Sequence, residues 1–100
     1  MGLFDNLNGV NEKIEQAESL YRRGLYHDAL TLLSYSDLQT MTMSKEQYCE
    51  SLFLSAKCLN ELGEFESAIK MLDIIINYPG YNHIYISKAE KLKKEIQNRQ

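Results

Sequence analysis

Residues 17–33 read AESLYRRGLYHDALTLL, and residues 56–72 read AKCLNELGEFESAIKML. Both stretches follow the pattern Ala-x2-Leu-x3-Gly-x-aromatic-x2-Ala-x3-Leu, and corresponding residues lie 39 positions apart. The matched pairs are Ala17 and Ala56, Leu20 and Leu59, Gly24 and Gly63, Tyr26 and Phe65, Ala29 and Ala68, and Leu33 and Leu72. An internal repeat decides the architecture, because each copy is one supersecondary unit that buries its apolar face against a neighbour.

The pattern predicts a pair of helices joined by a tight turn. Ala and Leu three positions apart share one face of a helix, and the small Ala lets a second helix approach closely. The glycine supplies the left-handed conformation that ends the first helix. The aromatic residue then begins the second helix, and the second Ala marks the closest contact between the two.

This pattern resembles the tetratricopeptide repeat, a two-helix unit of about 34 residues. The resemblance extends from Val10 to the C-terminus, although the present repeat is about five residues longer than that unit. Lys13 and Gln16 stand where the family has a large residue in its first helix, whereas the second copy has Leu52 there. The resemblance implies an all-α fold, with two tetratricopeptide-like helical hairpins plus a C-terminal capping helix, forming a fragment of an α-solenoid.

We expect a single domain over residues 1–100, with an N-terminal arm (1–9), a first repeat (10–43), a second repeat (44–80) and a capping helix (81–100). Five helices are predicted at about 10–23, 26–35, 44–62, 64–77 and 82–98. The N-terminal segment is expected to be either a short lead-in helix or a frayed arm, and Asn8-Gly9 predicts a turn after it. Ser44 and Gln47 form a capping-box signature, and Pro79 ends the fourth helix.

The fourth and fifth helices are expected to pack together. Apolar residues cover two faces of the fourth helix, and the second face needs a neighbour; its members are Met71, Ile74, Ile75 and Tyr78. The fifth helix offers a matching face made of Tyr85, Ala89, Leu92 and Ile96. Its opposite side is polar, as a terminal capping helix requires.

Composition excludes several classes of function. A net charge of −3 argues against nucleic-acid binding, and no apolar run reaches the length of a membrane span. Cys49 and Cys58 would lie about 13 Å apart on one helix, too far for a disulfide. Reduced thiols and a first segment without signal-peptide features predict a cytoplasmic protein.

Catalytic and metal-binding signatures are missing from the sequence. His27 and His83 begin different helices, and neither has metal-ligand spacing with the two cysteines. No glycine-rich phosphate loop occurs. We therefore expect no enzymatic activity, no catalytic residues, no metal and no cofactor.

The resemblance implies a scaffold that binds proteins in a concave groove lined by the first helix of each hairpin. Aligned on Ala17 and Ala56, the expected partner-binding residues are Ile14, Glu18, Tyr21, Arg22, Phe53, Leu54, Lys57 and Asn60. On the fifth helix, the corresponding positions around Ala89 are Ile86, Glu90 and Lys93. The competing interpretation is that Ile14, Tyr21 and Phe53 belong to the core. Ile14, Glu18 and Leu54 stand where family members that hold acidic chaperone tails have Lys and Asn, so the sequence argues against that subclass.

The function predicted is therefore a non-enzymatic protein–protein interaction module that binds a segment of a protein or peptide partner. The alternative is a structural or assembly subunit, or a small chaperone, that self-associates or forms a stable heterocomplex. Leu3, Phe4, Leu7 and Val10 form an apolar group that predicts a homodimer surface. If the arm instead folds back over the first hairpin, these residues act as its cap.

Overall fold

The computed structural model describes residues 3–34, 43–78 and 83–100, with side chains for residues 9–34, 43–78 and 84–100. These ranges hold the helices α1 (Leu3–Arg22), α2 (Tyr26–Leu33), α3 (Lys45–Glu61), α4 (Phe65–Ile76) and α5 (His83–Arg99), with no strand. The prediction of an all-α fold is confirmed. The segment expected to hold the additional residues, 35–42, and the expected stop at Pro79 lie outside the described residues.

Two glycines end α1 and α3 in the same way. Gly24 has a φ of 81° and Gly63 a φ of 78°, the left-handed conformation that a side chain disfavours. The amide of Leu25 donates to the carbonyl of Leu20 at 2.9 Å, and the amide of Gly24 donates to the carbonyl of Tyr21 at 3.0 Å. The corresponding bonds at Gly63 are 2.8 and 3.1 Å long. Both turns are therefore Schellman motifs, and the glycine is repeated in the sequence because both turns require the same left-handed backbone conformation.

The start of α3 is fixed by a capping box. The amide of Gln47 donates to Oγ of Ser44 at 3.1 Å, and the amide of Ser44 donates to Oε1 of Gln47 at 2.9 Å. Nε2 of Gln47 also donates to Oδ1 of Asn11 in α1 at 2.8 Å. One glutamine thus caps α3 and connects it to α1.

The core has two parts, and α3 belongs to both. In the first part, α1, α2 and α3 bury Val10, Ile14, Ala17, Ala29, Leu33, Leu54 and Cys58. In the second, α3, α4 and α5 bury Cys49, Ala56, Leu59, Ala68, Leu72, Ile75, Ala89 and Ile96. All four repeated alanines are fully buried, as expected for residues at close helix contacts.

Helices α1, α3 and α5 run side by side in the same direction. Asn11 meets Gln47 near the starts of α1 and α3, and Tyr21 meets Lys57 nearer their ends. At the end of α5, Nη1 of Arg99 donates to Oδ1 of Asn60 near the end of α3 at 3.0 Å. Helix α2 packs against α1 and α3, and α4 packs against α3 and α5. The first helix of each pair and α5 therefore form one layer.

The predicted start of the first helix was wrong. Helix α1 begins at Leu3 and passes through Asn8 and Gly9, where the sequence predicted a turn. Asn and Gly together cost a helix less than about 2 kcal/mol relative to alanine. Val10, fully buried one position later, binds this segment to the core, and helix extension adds a hydrogen bond per residue.

The fifth helix was expected to cover four apolar residues at the second face of α4, and for two of them this prediction was wrong. Ile75 and Met71 do lie in the second core with Ala89 and Ile96. Ile74, however, is 43% exposed. Tyr78 packs its ring against Tyr48 of α3, with centroids 5.8 Å apart. The two helices are further joined at their surface by an ion pair of 2.7 Å between Asp73 and Lys93.

A candidate binding groove between three helices

A cavity of about 160 Å³ lies where α1, α3 and α5 meet. Its lining comes from all three helices and comprises Ile14, Glu18, Glu50, Phe53, Leu54, Lys57, Tyr85 and Lys88. A second depression of about 260 Å³ shares Phe53, Lys57 and Lys88 with it and extends along α5 to Lys91, Leu92 and Glu95. The two are neighbours through these shared residues, and together we call them the α1–α3–α5 groove.

The floor of this groove is apolar and rigidly held. Ile14 and Leu54 are 3% and 4% exposed and belong to the first core. Phe53 is half-buried and packs against the second core. A floor made from core side chains is pre-organised, so a bound segment would find the contact surface already formed.

Two lysines at the rim lie over aromatic rings. Nζ of Lys57 is 4.7 Å from the ring centroid of Tyr21 and 5.6 Å from that of Phe53. Nζ of Lys88 is 5.4 Å from the ring centroid of Tyr85. Neither lysine forms an ion pair with any side chain of the described ranges. A cation over a ring keeps its charge and its N–H donors, so both remain available to an acceptor.

Two carboxylates, those of Glu18 and Glu50, line the same cavity as the lysines. Burial raises the pKa of the Glu50 carboxyl, and the nearby carboxylates of Glu18 and Glu15 raise it further, while Lys88 lowers it. Burial also raises the pKa of the Tyr85 hydroxyl, with a further contribution from Glu50. Glu18 already has a cation, because Nη2 of Arg22 lies 2.7 Å from its Oε1. Carboxylates and lysines therefore lie side by side in the groove, since Glu50 and Lys88 line the same cavity.

Five of the eight residues predicted to bind a partner meet in this groove: Ile14, Glu18, Phe53, Leu54 and Lys57. Tyr21 is half-buried behind the rim and reaches the groove through Lys57. Arg22 is exposed and pairs with Glu18. Asn60 is 8% exposed, accepts a hydrogen bond from Arg99 and does not line the groove. Ile14 and Leu54 are core residues that also form the groove floor.

The groove residues predicted on the fifth helix lie on a different face of α5 from those that line the groove. The expected Ile86, Glu90 and Lys93 do not line either depression, and Lys93 pairs instead with Asp73 of α4. Tyr85 and Lys88 lie there instead, together with Glu50 of α3. The periodicity of α3 could have identified Glu50, which is one turn before Phe53 and Leu54. Nothing in the sequence indicates how far α5 rotates about its own axis.

The predicted self-association surface falls largely outside the described side chains. Leu3, Phe4 and Leu7 are positions of α1 whose side chains are not described. Val10, the fourth residue predicted for the homodimer surface, is fully buried within the first core. A separate depression of about 310 Å³ is lined by α1, Arg23 in the turn after it, and α2, with Leu20 and Leu32 as its apolar members.

Both cysteines lie in the core. Cys49 and Cys58 are fully buried and form no disulfide, as predicted. Burial raises the pKa of the Cys58 thiol to about 11, so the reactive thiolate is scarce at neutral pH. Within the described ranges, no three His, Cys, Asp or Glu residues are grouped so that they could hold a metal ion.

Comparisons with known proteins identified no relative of this chain. No protein-family model, no curated protein and no solved structure matches this chain. Over residues 3–34, 43–78 and 83–100, none of the helices has both the length and the apolar character that crossing a membrane requires.

Proposed function

We propose that this chain is a tetratricopeptide-like module that binds a segment of another protein in the α1–α3–α5 groove. The observation that carries the proposal is the convergence of side chains from three parallel helices on one groove with an apolar floor and a charged rim. Binding sites of this kind combine a central apolar or aromatic anchor with polar contacts around it.

The helix arrangement supports the class of module. The two Schellman turns, at Gly24 and Gly63, give α1–α2 and α3–α4 the same connection. α1, α3 and α5 share one layer, as expected for the groove-lining helices of an α-solenoid. The chain measures 46 × 33 × 19 Å, and its shortest dimension matches two layers of helices.

The size of the groove supports a segment rather than a small molecule. The 160 Å³ cavity is smaller than the roughly 300–1,000 Å³ of ordinary ligand pockets. Its continuation along α5 extends the surface in one direction. A helix or an extended strand could follow that direction and place one side chain in the cavity.

The test is selection of peptides from a random display library on the immobilised wild-type chain, followed by measurement of their affinities. We expect Lys57→Glu to weaken a selected peptide by about tenfold or more, as changes at interface anchors do. Lys70→Glu makes the same charge change on the exposed face of α4 and serves as the matched control. Failure to select any peptide, or equal losses in both variants, would remove the groove as the binding site.

A second candidate function is assembly through self-association. The observation that favours it is the depression on α1 and α2, where Leu20 and Leu32 are only half-buried. Multi-angle light scattering over a range of concentrations tests this candidate. A mass that rises to that of a dimer favours it, and a monomer at every concentration eliminates it.

A further inference from the structure

The charged side chains of the α1–α3–α5 groove differ in whether they already form an ion pair. Arg22 forms an ion pair with Glu18 at 2.7 Å. Lys57 and Lys88 lie over aromatic rings and form no ion pair with a described side chain. Lys91 adds a third, exposed cation on the same rim. The depression along α5 is therefore lined by three lysines and a single carboxylate, Glu95, and its charge is net positive.

We propose that the partner segment is acidic, with a side-chain carboxylate between Lys57 and Lys88 and a neighbouring large apolar side chain against Phe53 and Leu92. This inference rests on the proposed function and specifies its ligand. A carboxylate would accept charge-assisted hydrogen bonds from lysines that their rings already orient. Phe53 and Leu92 border the same depression, so one segment can contact both the lysines and this apolar pair.

Charge complementarity favours a carboxylate over the phosphates of a nucleic acid. The chain has 14 acidic and 11 basic residues. Glu50 and Glu95 line the groove along with the lysines, so a continuous run of phosphates would meet carboxylates as well as lysines. A single acidic side chain needs only the lysines of the depression along α5, and charge complementarity there favours it.

The test uses two fluorescein-labelled peptides that share their Leu and Phe positions and differ only in carrying Glu or Lys between them. Fluorescence anisotropy on the wild-type chain is expected to give an affinity for the Glu peptide about tenfold higher or more. The double variant Lys57→Gln/Lys88→Gln should lose that preference, and Lys57→Arg/Lys88→Arg should keep it. Lys70→Gln/Lys94→Gln changes the same charge at exposed positions and should match the wild type.

Three outcomes would overturn the inference: equal or tighter binding of the Lys peptide, an equal loss in the control variant, or binding of neither peptide. Tighter binding of a single-stranded oligouridylate, lost in the same double variant, would also overturn it in favour of nucleic acid. If the Lys peptide binds and library-selected peptides still depend on Lys57, the proposed function survives and only the acidic ligand is wrong. If no peptide of any charge binds, both fail.

Discussion

Replacing Ala56 with Leu adds an isopropyl group at a fully buried position of α3. Ala56 lies in the second core with Ala68 and Leu72, which are also fully buried. None of the cavities described above borders Ala56, so the added group finds no space and must push α3 away from its neighbours. Overpacking of this kind costs about 1–3 kcal/mol.

For a chain of this length, that loss corresponds to a fall in Tm of roughly 4–24 °C. It is also a substantial part of a total unfolding free energy of about 5–15 kcal/mol. Thermal and urea unfolding followed by far-ultraviolet circular dichroism measures both quantities. Lys70→Leu adds apolar volume at an exposed position of α4 and is expected to change stability by less than about 0.5 kcal/mol. Equal stability of the two variants would refute the close contact assigned to the repeated alanines.

Three further predictions concern α5, the cap of α3 and the buried thiol. Ending the chain at Tyr78 removes the cover of Ile75, so we expect a protein that aggregates and binds a hydrophobic dye; a soluble monomer that unfolds cooperatively would contradict this. Ser44→Ala removes the capping box and should lower the unfolding free energy by about 1 kcal/mol, compared with almost no change for Ser87→Ala on the exposed face of α5. Burial raises the pKa of the Cys58 thiol to about 11 in the folded protein, whereas its unfolded value is about 8.5. The protonated thiol therefore contributes its full stabilisation below a pH of about 8.5, and that stabilisation is lost as the pH rises to about 11. Urea titrations should show Cys58→Ala losing less stability than the wild type over that range, and parallel losses would contradict the assignment.

Local signals in the sequence were sufficient to predict most helix boundaries. A glycine at each repeated turn and a capping box at Ser44 act through backbone atoms within a few residues, and the structure has both. Alanine spacing likewise identified Ala17 and Ala56 as fully buried. These predictions depend only on neighbours along the chain.

Predictions failed where contacts between distant segments decide the outcome. Asn8-Gly9 disfavours a helix locally, yet the burial of Val10 keeps α1 continuous. The face that α5 turns to the groove depends on its packing against α4, which brings Lys93 to Asp73 and leaves Lys88 at the rim. The repeat pattern continues into α5 only as Ala89 and Leu92, and the face predicted from it was not the face that lines the groove.

The central claim is that a protein segment binds between α1, α3 and α5. Its most direct test is nuclear magnetic resonance of the isotope-labelled chain during titration with a library-selected peptide. We predict the largest shifts at the methyl groups of Ile14 and Leu54 and at the ring of Phe53, which form the groove floor. Shifts confined to Leu20 and Leu32 on the α1–α2 surface, with the groove signals unchanged, would contradict the claim.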